Sequence, residues 1–225
     1  MQPNESDLHT ERMQRFTQAG LYYVTSEPLS AGRSTLDVLN EALDGGIRLV
    51  QLREKTFERK AFTQLAEAAR ELTDRYDAIL IVNDYLDIAL AAGADGVHLG
   101  QQDLPVAAAR RVAPDLIIGA SSHTREEFLD VQAAGASYIN IGPLFPTKTK
   151  EWLGDYLGID GMRDIAQLAK VPFTVMGGIK TEHISELVAA GAQTIALVTA
   201  ISAQPSPRDA ATALLAQIQT AREAL

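Results

Sequence analysis

LAAGADGVHL (residues 90–99), QAAGASYINI (132–141) and VAAGAQTIAL (188–197) share one local grammar, and EALDGGIRLVQL (41–52) is a looser fourth copy. Each reads as the end of an amphipathic helix, a glycine suited to the left-handed turn that closes it, then a short apolar run. A run that is apolar on both faces is a strand buried on both faces, the habit of parallel sheets. The phrase therefore marks a helix handing over to a parallel strand.

Working outward from it, similar runs occur along the whole chain. LYYVT begins at 21, IRLVQLR at 47, AILIVN at 78, DGVHL at 95, LIIGAS at 116, SYINIG at 137, PFTVMGG at 172 and TIALVTA at 194. Helical patterns such as FTQLAEAARELTDR (62–75) and DAATALLAQIQTAREAL (209–225) lie between and after them. Strand and helix alternate about eight times with short connections, which implies right-handed βαβ units. The expected fold is a single α/β domain, a (β/α)8 TIM barrel over residues 19–225. Residues 1–18 are read as a short N-terminal extension or helix, with the first dozen expected to be loose. A doubly wound open sheet is the alternative; it calls for fewer strands and a Gly-rich turn after the first, and LYYVTSEPLS has none.

Composition narrows the function. The 225 residues are 46% hydrophobic and 22% charged, too apolar for general disorder. The absence of cysteine excludes disulfide scaffolds, thiolate metal sites and cysteine nucleophiles. A net charge of −9 argues against nucleic acid or an anionic membrane as partner, yet allows a local anion pocket. No segment reaches the roughly 18 apolar residues of a membrane span. The polar start MQPNESDLHTERMQRF lacks the pattern of a secretory leader. The expectations are a cytoplasmic location and small-molecule partners, with a homo-oligomer left open.

Barrel chemistry gathers where strands end, and here the strand ends are the polar places. The second strand ends in QLREK, the third in ND, the fourth in HLGQQD and the fifth in SSH. The sixth ends in GPLFPTKTK, the seventh in GGI and the eighth in VTA. In QLREK, period two puts Gln51, Arg53 and Lys55 on one face and Leu52 and Glu54 on the other. Two cations facing a barrel interior need an anion, since unpaired buried charge is costly; a diphosphate fits, with Arg53 as a fork and Lys55 as a point charge. Asn83, Asp84 and Asp103 can be read as helix caps. Beside QLREK, the two carboxylates read better as Mg2+ ligands completed by phosphate and water. The run Pro146-Thr147-Lys148-Thr149-Lys150 lies in a long loop and suits phosphate oxygens, although a solvated basic loop has the same composition. Trp152 beside it is either a lid anchor or packing. Met176-Gly177-Gly178-Ile179 and Val198-Thr199 match the phosphate corner common after the last two barrel strands. Two phosphate loci on one rim point to two phosphorylated ligands, or to one with phosphates at both ends. His9 and His183 read as surface residues, His98 as a core or site residue, and His123 as a helix cap.

LYYVT, QLREK, IVND, ALAAGADGVHLGQQDLP, IIGASSH, GPLFPTKTK, VMGGI and LVTAIS, in that order, resemble the thiamine-phosphate synthase family, over about residues 20 to 205. The resemblance implies a transferase joining a hydroxymethylpyrimidine diphosphate to a thiazole ethyl phosphate, giving thiamine phosphate and pyrophosphate. It implies that Gln51, Leu52, Arg53, Glu54, Lys55, Asn83, Ser121 and Lys150 meet the pyrimidine diphosphate, with Arg53, Lys55 and Lys150 catalytic. Asp84 and Asp103 would hold Mg2+. Thr147, Lys148, Thr149, Gly178, Val198 and Thr199 would meet the thiazole phosphate.

The chain departs from the family pattern at three places. Tyr85 stands where Arg is common, Thr199 where Ser is common, and residues 151–156, EWLGDY, replace a smaller, Pro-rich run. Two other classes share parts of this pattern: a thiazole tautomerase-like relative and a non-catalytic barrel that senses thiamine precursors. A tautomerase would not need the whole QLREK–Asp84–Asp103 set, whereas only Tyr85 and the unusual loop favour a sensor. A Schiff-base aldolase is disfavoured because the sixth strand, SYINIG, carries no lysine.

Overall fold

A computed structural model describes residues 7–147, 149 and 154–225. Eight strands, β1 (Leu21–Val24), β2 (Leu49–Leu52), β3 (Ile79–Asn83), β4 (Gly96–Leu99), β5 (Ile117–Ser122), β6 (Tyr138–Ile141), β7 (Phe173–Val175) and β8 (Thr194–Leu197), close into a barrel in sequence order. Every neighbouring pair is parallel, including β1 with β8. The barrel reading therefore holds and the open sheet does not. Helices α2 (Thr35–Asp44), α3 (Arg59–Arg75), α4 (Leu86–Ala91), α5 (Val106–Val112), α6 (Arg125–Ala133), α7 (Gly158–Ala166) and α8 (Ile184–Ala189) cover the outside. A short α9 (Thr199–Ser202) and α10 (Pro207–Glu223) follow β8.

Alternation along the strands makes two cores. Outward residues such as Tyr23, Val50, Leu52, Leu80, Val82, Ile118 and Ile139 pack against the helices. Inward residues Tyr22, Val24, Leu49, Ile79, Ile81, Ile117, Tyr138 and Ala196 fill the tube. Tyr138 crosses that interior so closely to β5 that a Cβ at Gly119 would collide with its ring.

The first dozen residues are not loose from Asp7 onward: α1 (Asp7–Gln18) lies across the floor of the barrel. Its Phe16 is fully buried, with its ring centroid 4.4 Å from that of Tyr138 and 6.0 Å from that of Tyr22. Its polar residues bind the strand starts. His9 Nε2 lies 2.9 Å from Ser137 Oγ, which corrects the surface reading of His9. Arg12 donates to the Asp115 carbonyl and pairs with Asp95 at 3.4 Å, and Arg15 pairs with Asp77 at 2.7 Å. Asp95 also takes Arg70 at 2.6 Å and the Leu80 amide at 2.9 Å. Among the described residues no helix is long and apolar enough to cross a membrane.

Candidate active site

The mouth opens at the strand ends. On β2 the period-two reading separates the five residues of QLREK. Gln51 turns inward, and its Nε2 donates to Tyr22 Oη at 2.9 Å. Leu52 is buried in the outer core. Glu54 is buried behind the strand, where its carboxylate accepts from the Glu27 amide (2.8 Å) and Thr35 Oγ1 (2.9 Å). The expectation that Leu52 and Glu54 meet a substrate is therefore corrected for their side chains, which point to the helix layer. Glu54 instead anchors the stretch that carries its neighbours. The Arg53 amide donates to Thr25 Oγ1 at 2.9 Å, while its guanidinium makes no hydrogen bond among the described residues. Burial lowers the Arg53 pKa, and the charges of Asp84 and Glu54 work against that shift.

Asn83 ends β3, and Asp84 follows it in the left-handed region with φ 65°. Aspartate is one of the few side chains found there, so the turn is strained but attainable. The N-cap of α4 is Tyr85, with no side-chain capping bond, so Asp84 is not a helix cap. Its carboxylate pairs with Lys55 Nζ. Asp103 does not cap a helix either; it accepts from the Gly100 amide at 2.6 Å, and α5 begins after Pro105. Burial raises the Asp103 pKa, Asp84 raises it further, and the Gly100 amide and Lys55 pull it down. Asp84, Asp103 and Lys55 thus form one charge cluster. Two neighbouring carboxylates with hard oxygens fit a divalent cation, which would relieve their repulsion. Among the described residues no group of three or more potential ligand side chains occurs, so a cation here would draw its other ligands from substrate and water.

Beside this cluster lies a cavity lined by Arg53, Ser121, His123, Asn140, Thr147, Thr149, Gly177, Gly178, Val198 and Thr199, among others. Two of the loops that line it are clasped together: the amides of Leu144 and Phe145 donate to the carbonyls of Met176 and Gly177 at 3.0 and 2.9 Å. Gly178 adopts φ 63°, and a Cβ there would strike the carbonyl oxygens of Pro146 and Phe145. Only glycine fits that approach. Thr147 Oγ1 accepts from the Thr149 amide at 3.1 Å. Thr199 and Ala200 open α9, and the first amides of a helix have no acceptor within it. Hydroxyls, glycine backbone and helix-start amides around one cavity are the chemistry that suits an anion. Lys148, Lys150 and Trp152 lie outside the described residues.

Several residues here carried no clear sequence signal. Tyr22 Oη and Tyr138 Oη are 2.8 Å apart, His98 Nδ1 lies 2.8 Å from Tyr138 Oη, and His98 Nε2 lies 2.9 Å from Ser121 Oγ. Period two does put Tyr22, His98 and Tyr138 on the inward face, but it does not say that they meet. His123 stays at the rim with Nδ1 2.9 Å from Glu127 Oε2. His183 is half-buried and stacks on Phe145 at 4.0 Å.

The profile of one family, described as thiamine monophosphate synthase, matches residues 21–201, which span every strand and every rim element above. The chain belongs to that family. A thiamine-phosphate synthase of Shouchella clausii is 40% identical over 204 residues, 90% of this chain and 98% of that protein. A thiamine-phosphate synthase of Chlorobium phaeovibrioides is 44% identical over 180 residues, 80% of this chain and 86% of that protein. Among solved structures, the thiamine phosphate pyrophosphorylase from Pyrococcus furiosus superposes with a TM-score of 0.84 at 33% identity, covering 92% of this chain and 98% of that one. Fold and family thus agree across the same residues in this thiamine monophosphate synthase family member.

Proposed function

We propose that this chain is a thiamine-phosphate synthase. It transfers the (4-amino-2-methylpyrimidin-5-yl)methyl group of 4-amino-2-methyl-5-hydroxymethylpyrimidine diphosphate to the nitrogen of 4-methyl-5-(2-phosphoethyl)thiazole or its carboxylate, breaking the methylene–oxygen bond and releasing pyrophosphate. The observation that carries this reading is the pairing of two ligand loci in one mouth. The charge cluster of Lys55, Asp84 and Asp103, suited to a divalent cation that carries a diphosphate, is one; the cavity of Thr147, Thr149, Gly178 and Thr199 is the other, with Arg53 lining the cavity and within electrostatic reach of Asp84.

Arg53 and Lys55 stabilise the charge that builds on the departing diphosphate. Asp84 and Asp103 would hold Mg2+, whose chemistry is to neutralise charge on the diphosphate oxygens. Gln51, Asn83 and Ser121 orient the pyrimidine so that its methylene faces the thiazole nitrogen. Thr147, Thr149, Gly178, Val198 and Thr199 fix the other partner through its phosphate. With both reactants held, the pyrimidine cation meets the thiazole before water does. No protein nucleophile is needed. Substrates this highly charged do not cross a bilayer unaided, which supports a cytoplasmic location.

The test is an endpoint assay of purified protein with both substrates and Mg2+, with thiamine phosphate read as fluorescent thiochrome after oxidation. Product that forms with Mg2+ and disappears in excess EDTA is the expected result. A folded, Mg2+-supplied preparation that makes no product but binds thiazole phosphate overturns the reading in favour of a tautomerase or a sensor.

A further inference from the structure

The five side chains Gln51, Tyr22, Tyr138, His98 and Ser121 form one hydrogen-bonded chain through the barrel interior, from β2 to β5, with links of 2.9, 2.8, 2.8 and 2.9 Å. We propose that this chain fixes the donor–acceptor polarity of Gln51 and Ser121, making Tyr138 and His98 positioning residues that select a 4-amino over a 4-oxo pyrimidine. The inference rests on the functional reading above, in which Gln51 and Ser121 meet the pyrimidine ring.

The polarity follows from counting protons. Gln51 Nε2 can only donate, so Tyr22 Oη accepts from it and turns its single proton to Tyr138 Oη. Tyr138 then turns its own proton to His98 Nδ1. A neutral imidazole that accepts at Nδ1 carries its proton on Nε2, facing Ser121 Oγ. Burial raises the pKa of both tyrosine hydroxyls, so each keeps its one proton. Phe16, fully buried against the Tyr138 ring, closes the chain off from below. In a dry interior a reversed link would leave two donors or two acceptors facing each other, which is costly. The two ends are therefore coupled. Gln51, its amide nitrogen held at Tyr22 by one of its two protons, keeps its carbonyl oxygen as the acceptor on the far side of the amide, and Ser121 keeps its hydroxyl proton as a donor.

A 4-aminopyrimidine presents an amino donor beside a ring-nitrogen acceptor. A 4-oxopyrimidine presents the reverse, a carbonyl acceptor beside a ring N–H. The polarity fixed by the chain matches the first and opposes the second. A site whose polar groups are locked this way rejects the mismatched ring far better than an adaptable one.

The experiment measures dissociation constants for the 4-amino and 4-oxo forms of the 5-hydroxymethylpyrimidine diphosphate, with Mg2+ and without thiazole, so that intrinsic reactivity does not enter. The wild type is expected to favour the amino form by about 100-fold or more. Tyr138→Phe keeps the ring and removes the central link, freeing the Gln51 amide to turn over; the preference should fall at least about tenfold. Tyr22→Phe cuts the same chain one link earlier and serves if the first variant does not fold. Phe16→Leu loosens the packing of Tyr138 but keeps every hydrogen bond, and it should keep the preference. An unchanged preference in the tyrosine variants, or an equal loss in Phe16→Leu, overturns the proposal. A wild type that binds neither diphosphate instead overturns the functional reading on which it rests.

Discussion

At the floor of the barrel Asp95 is surrounded by partners: Arg12, Arg70 and the Leu80 amide all converge on its two oxygens. At the mouth Asp103 takes one backbone amide and stands beside a second carboxylate that raises its pKa. The cations differ in the same way. Both terminal nitrogens of Arg70 are taken by Asp95, Asp74 and the Ala78 carbonyl, with its buried Nε left over, whereas the Arg53 guanidinium has no hydrogen-bonded acceptor among the described residues. Both ends draw on the same residue types within the same eight strands. The floor closes its charges on one another, and the mouth leaves them for ligands. Folding stability should therefore be concentrated at one end and turnover at the other.

The largest expected effect is at the floor. Asp95→Ala strands two mostly buried arginines and should cost about 3–5 kcal/mol of stability. Turnover per folded molecule should stay near wild type, a split that denaturant titration and steady-state kinetics on one preparation will show. At the mouth, Lys55→Ala and Asp84→Asn should each cut turnover at least about 100-fold, equivalent to about 2.7 kcal/mol in the barrier. Their melting temperatures should barely move, because asparagine tolerates the left-handed turn and Lys55 is exposed. Near-native rates would erase the contrast. Gly178→Ala tests the clasp, where the two roles meet. The added Cβ should cost about 1–3 kcal/mol of stability and raise the KM for the thiazole phosphate with it. The smallest effect belongs to Arg59, which sits over the Tyr85 ring at 4.7 Å and pairs with Asp87 in the open. Arg59→Ala should change stability by less than about 1 kcal/mol. A clear rise in the KM for the pyrimidine diphosphate would instead add Arg59 to the mouth.

The strands and their polar ends were legible because the signals were local. A glycine closing a helix, an apolar run and a polar tip all lie within about ten residues of one another. The two faces of QLREK followed from period two, down to Glu54 pointing away. The floor was not legible: α1 carries few apolar residues, and His9, Arg12 and Arg15 hold it by reaching Ser137, Asp95 and Asp77, far off in sequence. Taken alone, Asp84 can be read as a cap, and only its neighbours in QLREK turn the reading toward a metal; the structure puts Tyr85 at the N-cap and Asp84 in the left-handed region before it, free of that duty. Tyr22, His98 and Tyr138 could be assigned a direction but not a meeting point, since barrel closure alone brings β1, β4 and β6 together.

The helix across the floor also decides how the molecule can be handled. Attached to a bead, an electrode or a fusion partner through a link placed ahead of Asp7, the barrel is gripped at its closed end, with its open end turned away from the support. Trimming the chain as far as Phe16 to tidy such an attachment would remove the ring packed beneath Tyr22 and Tyr138. The N-terminal segment is thus a place to add sequence and a poor place to remove it.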